Sequence, residues 1–362
     1  MKVLILLTDL FDAVGGIQTF NRALVKALSE IAEKKGGGVT VLVLNDGSGS
    51  ELAGRYMTTP HSTFKGFHKN RFRFVLSAIR ESRDADMVLF GHVHFSPLAC
   101  AMNSVKKCLV VHGVDVWRRL VALQRLGVAR MDHILSVSDY TRGQMAKYNG
   151  TALNRFFILP NTLEPFYGNG AVPPSRQWLG LPSGKMILSV SRLQASEYYK
   201  KLDSVIEAMP AVLQKVPDAF YVLVGDGNDR PRLEQMAKRL SVSNRVIFVG
   251  RVPDSLLPAY YQSSDIFVLP SLKEGFGIVF LEAMYYSKPC IGARAGGVPE
   301  VIVDGETGLL IDPGDAESLT DTMVRLLNHE NLRVEMGRAG RERLEREFSF
   351  SKFQGRLQKA LW

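Results

Sequence analysis

Residues 271–301 read SLKEGFGIVFLEAMYYSKPCIGARAGGVPEV, and this stretch decides the fold of the second half of the chain. The apolar residues 265–269 before it predict a buried strand of a parallel sheet. Residues 274–277, Glu-Gly-Phe-Gly, place two glycines around one aromatic, which lets the backbone turn sharply and approach a ligand closely. Residues 278–286 then have the apolar spacing of a helix. Glu274 is therefore expected in a loop at a helix N-terminus, where free N–H groups favour an anion.

A second carboxylate, Glu282, follows Glu274 on the predicted helix, eight residues further on (282 − 274 = 8). At about 1.5 Å of rise per residue, this spacing corresponds to roughly 12 Å along a helix axis. Two carboxylates so far apart cannot act as one acid/base pair. They can instead hold two ends of an extended ligand.

Glu274 and Glu282 resemble the E-x7-E motif of the retaining glycosyltransferases of family 4, which have the GT-B fold. Two glutamates at this spacing are common on any helix, so the motif is weak by itself. It becomes specific in combination with the strand before it and with GGVPEV at residues 296–301. The resemblance is strong over residues 185–348 and weak in the N-terminal half. It implies an α/β protein with two doubly wound, Rossmann-like parallel-sheet domains and a cleft between them.

The length of 362 residues favours two domains. Strand and helix patterns alternate through both halves, as in doubly wound parallel sheets. Residues 163–184 are rich in Pro and Gly and predict a linker. It would join an N-terminal, acceptor-side domain at residues 1–162 to a C-terminal domain at residues 185–349, which the resemblance makes the nucleotide-sugar-binding domain. Residues 350–362 predict a last helix, which in the family crosses back onto the first domain.

The composition is that of an ordinary globular protein, with 46% hydrophobic and 22% charged residues. No stretch approaches the roughly 20 apolar residues of a membrane span. The apolar run at residues 3–7 stops at Thr8-Asp9 without a small-residue cleavage site, so it predicts a first strand and not a signal peptide. The three cysteines form no C-x-x-C pair, which favours reduced thiols and a cytoplasmic protein.

The net charge of +9 is uneven along the chain. Residues 1–170 hold 21 Lys+Arg against 13 Asp+Glu, so almost all of the excess lies in the first half. Such a charge attracts phosphates, anionic lipid or nucleic acid. No DNA- or RNA-binding motif accompanies it, and we therefore expect no nucleic-acid partner.

Residues 64–74, FKGFHKNRFRF, interleave basic and aromatic side chains. This pattern suits reversible contact with an anionic membrane at its inner face, or with an anionic acceptor. The alternative is a loop that leads into a helix whose aromatics belong partly to the core.

The resemblance implies a donor site in which Arg192 and Lys200 bind the pyrophosphate, Glu274 orients the donor sugar and Glu282 binds ribose hydroxyls. Lys201 stands where the family has glycine, which leaves open whether Lys200 or Lys201 reaches the phosphate. The expected catalytic residues are Glu274 and His112. The remaining expected donor-binding residues are Gly16, Gly225, Arg251, Val252, Gly275, Phe276, Gly277 and Ile278.

Two of these residues also have a local argument. Gly15-Gly16 at a helix start can present bare N–H groups to a phosphate, although a plain loop glycine pair is the alternative. His112 follows a short strand and is expected at the carboxyl edge of a parallel sheet, where open α/β sheets bind ligands, with a core histidine as the alternative.

Two sequence patterns resemble metal-binding motifs, but neither predicts a metal site. Asp84-x-Asp86 precedes its predicted strand at residues 87–90, which puts both carboxylates at the edge of the sheet away from the site. His92-x-His94 has no evident third ligand. We therefore expect no metal and no cofactor.

The function expected from this resemblance is transfer of a hexosyl unit from a nucleotide diphosphate sugar, most simply a UDP-sugar, to a hydroxyl of a saccharide or lipid-linked acceptor. The sequence shows no nucleophile beside the donor site, which agrees with the front-face substitution discussed for the family. The alternatives are a GT-B sugar-nucleotide epimerase or phosphorylase and a non-catalytic sugar-nucleotide-binding protein.

Overall fold

The chain forms two compact units in a computed structural model that describes residues 1–13, 15–47, 52–102, 105–168 and 176–362. One unit comprises Met1–Pro165 and Phe348–Trp362, and the other comprises Phe166–Glu347. The predicted linker at 163–184 contains residues 169–175, which lie outside the described residues.

The first unit contains seven strands among its described residues, joined by helices and two 3-10 segments. In chain order these are β1 (Lys2–Leu7), α1 (Gly16–Lys34), β2 (Gly38–Val43), α2 (Ala53–Tyr56), β3 (Thr63–Gly66), α3 (Arg71–Glu81), β4 (Met87–Phe90), the 3-10 segment Val93–Ala101, β5 (Lys106–Val111), α4 (Ala122–Ala129), β6 (His133–Ser136), α5 (Asp139–Asn149), the 3-10 segment Leu153–Arg155 and β7 (Phe156–Ile158).

The sheet of the first unit has the order β3-β2-β1-β4-β5-β6-β7, and its strands pair in parallel. The order reverses between β1 and β4. Ligands of open α/β sheets bind at the carboxyl ends of the strands next to such a reversal. The residues that follow β1, β4 and β5, including Gly16 and His112, therefore lie at or next to this position.

The second unit repeats the same architecture with six strands among its described residues. In chain order these elements are β8 (Met186–Val190), the 3-10 segment Ala195–Lys200, α6 (Leu202–Lys215), β9 (Phe220–Val224), α7 (Arg230–Arg239), β10 (Val246–Gly250), α8 (Leu257–Ser263), β11 (Ile266–Leu269), α9 (Ile278–Tyr285), β12 (Cys290–Ala293), α10 (Val298–Val301), β13 (Gly308–Ile311), α11 (Ala316–Asn328) and α12 (Glu330–Glu347).

The sheet of the second unit has the order β10-β9-β8-β11-β12-β13, again parallel, and the order reverses between β8 and β11. Arg192 follows β8 by two residues, and the Glu-Gly-Phe-Gly turn follows β11. The fold thus brings both parts of the predicted donor site to one edge of one sheet.

The last helix, α13 (Phe350–Leu361), returns to the first unit and packs on α1. Phe353 meets Phe20 edge to face with 5.6 Å between ring centroids. The amide of Gln354 donates a 2.8 Å hydrogen bond to Glu30.

The basic aromatic residues 64–74 do not form one continuous surface. They are divided into the edge strand β3, a turn in which His68 and Lys69 have positive φ, and the start of α3. Phe74 is buried in the core, whereas Phe72 is 73% exposed. The stretch therefore combines the two interpretations, because part of it is core and part of it faces solvent. Within the described part of the chain, no helix is both long and apolar enough to cross a bilayer.

Candidate functional site

Two glycine-containing turns pack against each other at the carboxyl edge of the second sheet. Gly277 has φ of 92° and begins α9, and the N–H of Gly297 donates a 2.8 Å hydrogen bond to the carbonyl of Glu274. A Cβ atom on Gly296, whose φ is 61°, would lie 2.2 Å from the Glu274 carbonyl oxygen. A Cβ atom on Gly297 would lie 2.3 Å from the Gly275 carbonyl oxygen. Only glycines at 296 and 297 allow this approach, so the GGVPE turn fixes the backbone that carries Glu274.

Lys200 and Glu274 form the central ion pair of this edge. Nζ of Lys200 lies 2.6 Å from Oε2 of Glu274, and the two side chains are 19% and 16% exposed. Burial disfavours the charged amine, but the neighbouring carboxylate outweighs burial and raises the pKa of Lys200. Lys200 is therefore a fully charged cation at neutral pH, held at the turn that the sequence predicts to face the donor.

Lys201 has a backbone conformation that glycine adopts more readily than other residues. Its φ and ψ are 57° and 36°, in the left-handed region, and it joins the 3-10 segment to α6. A non-glycine residue in this region costs roughly 1 kcal/mol. The side chain of Lys201 lies 3.8 Å from Asp203, whereas Lys200 points to Glu274. The ammonium groups of the two neighbouring lysines are therefore held by different carboxylates.

Arg192 lies on the other side of the same segment and is paired with Glu197. The Arg192 side chain is 65% exposed, so a ligand can reach it from solvent. The other carboxylate oxygen of Glu197 is buried and has no hydrogen-bond partner. Each of the two predicted pyrophosphate-binding cations is therefore paired with its own carboxylate. A diphosphate would have to displace that carboxylate in order to bind the cation.

Glu282 is more enclosed than its predicted role suggested. The residue is 8% exposed, and the hydroxyl of Tyr261 donates a 2.6 Å hydrogen bond to its Oε2. Tyr261 is fully buried, and burial together with the adjacent carboxylate raises its pKa well above the usual value. The tyrosine thus stays protonated and fixes the orientation of the Glu282 carboxylate.

The remaining predicted donor-binding residues of this unit surround the same edge. Gly225 has φ of 132°, and a Cβ atom on it would lie 1.8 Å from the Ser191 carbonyl oxygen, so β8 and β9 require glycine here. Arg251 follows β10 and is exposed, and Val252 is half-buried. Phe276 and Ile278 are 2% and 7% exposed, and both residues belong to the core of the second unit.

His112 follows β5 in the first unit, at the carboxyl edge where the sequence places it. Its Nε2 lies 2.8 Å from the carbonyl oxygen of Gly91, so Nε2 carries the proton and donates it. Burial lowers the pKa of His112 to about 4 despite this hydrogen bond. The imidazole is therefore neutral at physiological pH and acts as a hydrogen-bonding group, with its Nδ1 free of a proton.

His92 lies next to His112, and His94 lies next to His92. The rings of His92 and His112 stack at 6.2 Å, and the rings of His92 and His94 lie 4.3 Å apart. Burial also lowers the pKa of His92 to about 4, against the opposing effect of Asp115. Among the described residues, no group of three or more His, Cys, Asp or Glu side chains could hold a metal ion. Asp86, at the opposite edge of the sheet, accepts a 2.8 Å hydrogen bond from the N–H of Lys2.

The sequence did not indicate three features of the site: the Tyr261–Glu282 hydrogen bond, the Arg192–Glu197 pair and the contact of Gly296 with Glu274. Each joins residues whose proximity depends on tertiary packing or on the course of a loop. The Gly296-Gly297 pair was the one available signal, because adjacent glycines often mark a close backbone approach.

Comparisons with known proteins agree with this architecture. Residues 175–343 match the family described as Glycosyl transferases group 1, and residues 14–165 match Glycosyltransferase Family 4. A GDP-mannose-dependent alpha-(1-6)-phosphatidylinositol monomannoside mannosyltransferase of Mycolicibacterium smegmatis is 30% identical over 275 residues, which is 71% of each chain. An N-acetyl-alpha-D-glucosaminyl L-malate synthase of Bacillus anthracis is 36% identical over 278 residues, 72% of this chain and 71% of the relative.

The fold is also similar to that of solved structures. HepE of Anabaena, in complex with UDP and glucose, has a TM-score of 0.82 at 20% identity, with 100% of this chain and 99% of that chain covered. A sucrose-phosphate synthase of Thermosynechococcus elongatus has a TM-score of 0.79 at 20% identity, with 99% and 98% covered. The resemblance predicted from residues 274–301 is thus confirmed. The chain belongs to the group 1 and family 4 glycosyltransferases and has the GT-B fold.

Proposed function

We propose that this glycosyltransferase moves a hexosyl unit from a nucleotide diphosphate sugar to a hydroxyl of a saccharide or lipid-linked acceptor, with retention of the anomeric configuration and without a metal ion. The observation that carries the proposal is the position of Arg192, Lys200 and Glu274 at the carboxyl edge of the second sheet, where the strand order reverses between β8 and β11. Two cations there can offset the negative charge that develops on a departing diphosphate.

Each residue has a distinct role in this proposal. Lys200 and Arg192 bind the diphosphate and leave their carboxylate partners as they do so. Glu274, once released from Lys200, accepts hydrogen bonds from hydroxyls of the donor sugar. Glu282, oriented by Tyr261, accepts hydrogen bonds from the ribose. In the first unit, His112, neutral and with Nδ1 unprotonated, accepts a hydrogen bond from a hydroxyl of a bound sugar.

The donor that we propose is a UDP-sugar such as UDP-glucose. A structure of HepE with UDP-glucose supports uracil as the base of the donor, whereas the Mycolicibacterium relative is named for GDP-mannose. A thermal-shift panel of UDP, GDP and ADP with their sugars distinguishes the donors. A ligand at a hundredfold excess over its Kd stabilises the folded state by about 2.7 kcal/mol. Stabilisation by GDP-mannose but not by any UDP-sugar would show that the base of the donor is guanine and not uracil.

Retention is tested on the product. Proton NMR of the glycoside product reports whether the donor's α configuration persists at the transferred anomeric carbon. An inverted product would overturn the retaining mechanism and would require a base opposite the leaving group.

Transfer is separated from the other enzyme classes by adding donor with and without acceptors. Transfer requires both. An epimerase converts donor alone, a phosphorylase requires pyridoxal phosphate, and a non-catalytic binding protein gives a thermal shift without turnover in any combination.

The basic N-terminal half supports a peripheral position at the inner face of the cytoplasmic membrane. Its surplus of Lys and Arg would approach anionic lipid reversibly, at about 1 kcal/mol per basic residue near the surface. Such a position suits a lipid-linked acceptor. The relatives include an enzyme named for a phosphatidylinositol monomannoside, which is itself a lipid.

A further inference from the structure

The outward face of α4 combines exposed apolar side chains with arginines. Val121, Leu123 and Leu126 are 59%, 65% and 48% exposed. Residues 116–131, VWRRLVALQRLGVARM, contain four arginines and no acidic residue. Scattered exposed leucines are ordinary on soluble proteins. One valine and two leucines exposed within six residues, among arginines, require a separate explanation.

The inward face of α4 packs closely on the rest of the first unit. The exposure of the outward residues is therefore not the result of a poorly packed helix. Gln124 and Val128 are 8% and 4% exposed, and the carbonyl of Gln124 accepts a 3.1 Å hydrogen bond from Ser96. A Cβ atom on Gly127 would lie 1.9 Å from the Ser96 carbonyl oxygen, so the helix backbone lies directly on the 3-10 segment Val93–Ala101. Residues 124, 127 and 128 are one face of a helix, and the leucines lie on the other.

The arginines beside these apolar residues lack acidic partners. Arg118, Arg119 and Arg125 are exposed, and within the described ranges none of the three forms an ion pair. Elsewhere on the same unit, Lys65 pairs with Glu81 and Arg142 pairs with Asp139. The arginines around α4 therefore present uncompensated positive charge next to apolar area, which is the composition of an interfacial membrane-binding helix.

The location of α4 gives this face a relation to the site. Phe74 of α3, Val93 of the 3-10 segment, Val128 of α4 and Met145 of α5 share one core cluster. These elements therefore cover one face of the first sheet, and α3 adds Phe72 and Leu76, 73% and 53% exposed, to its outer surface. The loop from β5 to α4 begins at His112, so the N-terminal end of α4 lies at the carboxyl edge of the sheet.

We propose that Val121, Leu123 and Leu126, with Arg118, Arg119 and Arg125, form an anionic-lipid-binding surface, the α4 surface, which holds the carboxyl edge of the first unit at the bilayer. The leucines enter the headgroup region and the arginines bind lipid phosphates. The inference deepens the proposed membrane contact and moves its centre from residues 64–74 to α4. In that stretch Lys65 is paired with Glu81, whereas Lys69, Arg71 and Arg73 form no ion pair among the described residues. Unlike α4, however, the stretch has one large exposed apolar side chain, Phe72.

Vesicle co-sedimentation tests the α4 surface with the full chain. The vesicles are phosphatidylcholine alone, and phosphatidylcholine with phosphatidylglycerol in equal parts. The charge variant Arg118→Gln/Arg119→Gln/Arg125→Gln is expected to weaken partition onto the anionic vesicles about a hundredfold, from about tenfold or less per arginine. The apolar variant Leu123→Ser/Leu126→Ser is expected to weaken it about tenfold or more. Raising salt weakens binding by the wild type more than binding by the charge variant.

A control on the other unit changes one exposed apolar residue and one exposed arginine, which is already paired with Glu342. Val334 is 62% exposed and the Arg338 side chain is 72% exposed, both on α12. Val334→Ser/Arg338→Gln should leave vesicle binding unchanged. A third variant, Phe72→Ser on α3, tests the stretch at residues 64–74 and should have a smaller effect than the α4 variants.

Three outcomes would overturn the proposal: equal binding of the wild type to neutral and anionic vesicles, retention of binding by both α4 variants, or loss of binding in Phe72→Ser alone. Tight binding of a random RNA, abolished by the charge variant, together with no vesicle binding, would assign the surface to nucleic acid. Donor thermal shifts recorded on the same samples keep this result separate from the proposed transferase, because a failed vesicle assay with normal donor binding leaves the transferase in place.

Discussion

Nζ of Lys200 lies 2.6 Å from Oε2 of Glu274, at the edge of the second sheet where the strand order reverses between β8 and β11. This pair joins the residue proposed to bind the leaving diphosphate to the residue proposed to orient the sugar. Arriving donor would replace a carboxylate by a diphosphate at Lys200 and release Glu274 toward the sugar. The pair therefore makes the two halves of donor binding interdependent.

The first prediction concerns the different duties of the two glutamates. Glu274→Gln should lower kcat about a hundredfold, because a reacting group misplaced by about 1 Å costs that much. Glu282→Gln should mainly raise the donor KM, because ribose contacts are similar in the ground and transition states. Steady-state kinetics with circular dichroism as a folding check measures both. Near-normal kcat in Glu274→Gln with abolished kcat in Glu282→Gln would reverse the assigned roles.

The second prediction concerns Tyr261, which acts through Glu282 and not on the donor itself. Tyr261→Phe keeps the ring but removes the donor of the 2.6 Å hydrogen bond. It should raise the donor KM in the same direction as Glu282→Gln while leaving kcat nearly unchanged. It should also reduce the preference for a ribo- over a 2′-deoxyribonucleoside diphosphate, measured by calorimetry. The loss of one hydrogen bond to a buried carboxylate should lower stability by about 1 to 3 kcal/mol. A lower stability with an unchanged ribose preference would make Tyr261 purely structural.

The third prediction concerns the glycine that holds the Glu274 turn. Gly296→Ala would place a Cβ atom 2.2 Å from the Glu274 carbonyl oxygen, so the turn must shift and kcat should fall about as far as in Glu274→Gln. Gly305 is the matched control: its φ of 78° gives the same backbone strain, but nothing lies within 4 Å of its Cβ position. Gly305→Ala should cost roughly 1 kcal/mol of stability and leave kcat intact. Equal kinetic effects of both substitutions would attribute the loss to strain and not to the turn.

The fourth prediction concerns pH. His92 and His112 have pKa values lowered to about 4 by burial, against about 6.5 in the unfolded chain. The folded state thus binds fewer protons than the unfolded state, so the contribution of these histidines to stability is complete above pH 6.5 and is lost as the pH falls toward 4. Each histidine accounts for roughly 3 kcal/mol over that range. The thermal midpoint should fall through this window, and less steeply in His112→Gln, whose amide can still donate to Gly91. If the thermal midpoint of both His92→Gln and His112→Gln fell with pH as steeply as that of the wild type, the pH dependence would not come from these histidines.

The fifth prediction concerns metal. Arg192 and Lys200 supply positive charge at the diphosphate, so activity should survive excess EDTA. The assay compares initial rates before and after chelation, with Mg²⁺ and Mn²⁺ added back. Complete loss that either ion restores would require a metal in the mechanism.

Much of the fold could be predicted because parallel strands buried on both faces are continuous apolar runs. Strand β4 begins and ends at the predicted residues 87–90, and the last helix, predicted over residues 350–362, forms as α13. The strand β3 was missed because it is a short edge strand whose residues alternate between exposed and half-buried. An edge strand has only one pairing neighbour and needs little apolar character.

The site was predictable only where it rests on a local motif. The turn at residues 274–277 and the helix that carries Glu282 follow from glycine placement and apolar spacing. The burial of Glu282 does not follow, because it depends on Tyr261, which lies 21 residues earlier on another helix. The side chains of Phe276 and Ile278 likewise occupy the core because of packing that no local pattern records.

Calorimetric titration of the nucleoside diphosphate selected by the thermal-shift panel tests the central claim most directly. The wild type is compared with Lys200→Met and with Lys238→Met, an exposed lysine on α7 that serves as the control. A hydrogen bond to a charged group contributes about 1.5 to 3 kcal/mol, so Lys200→Met should weaken binding by about tenfold to a hundredfold, and Lys238→Met should leave it unchanged. Wild-type affinity in Lys200→Met would contradict the account, because the diphosphate would then bind away from the Lys200–Glu274 edge.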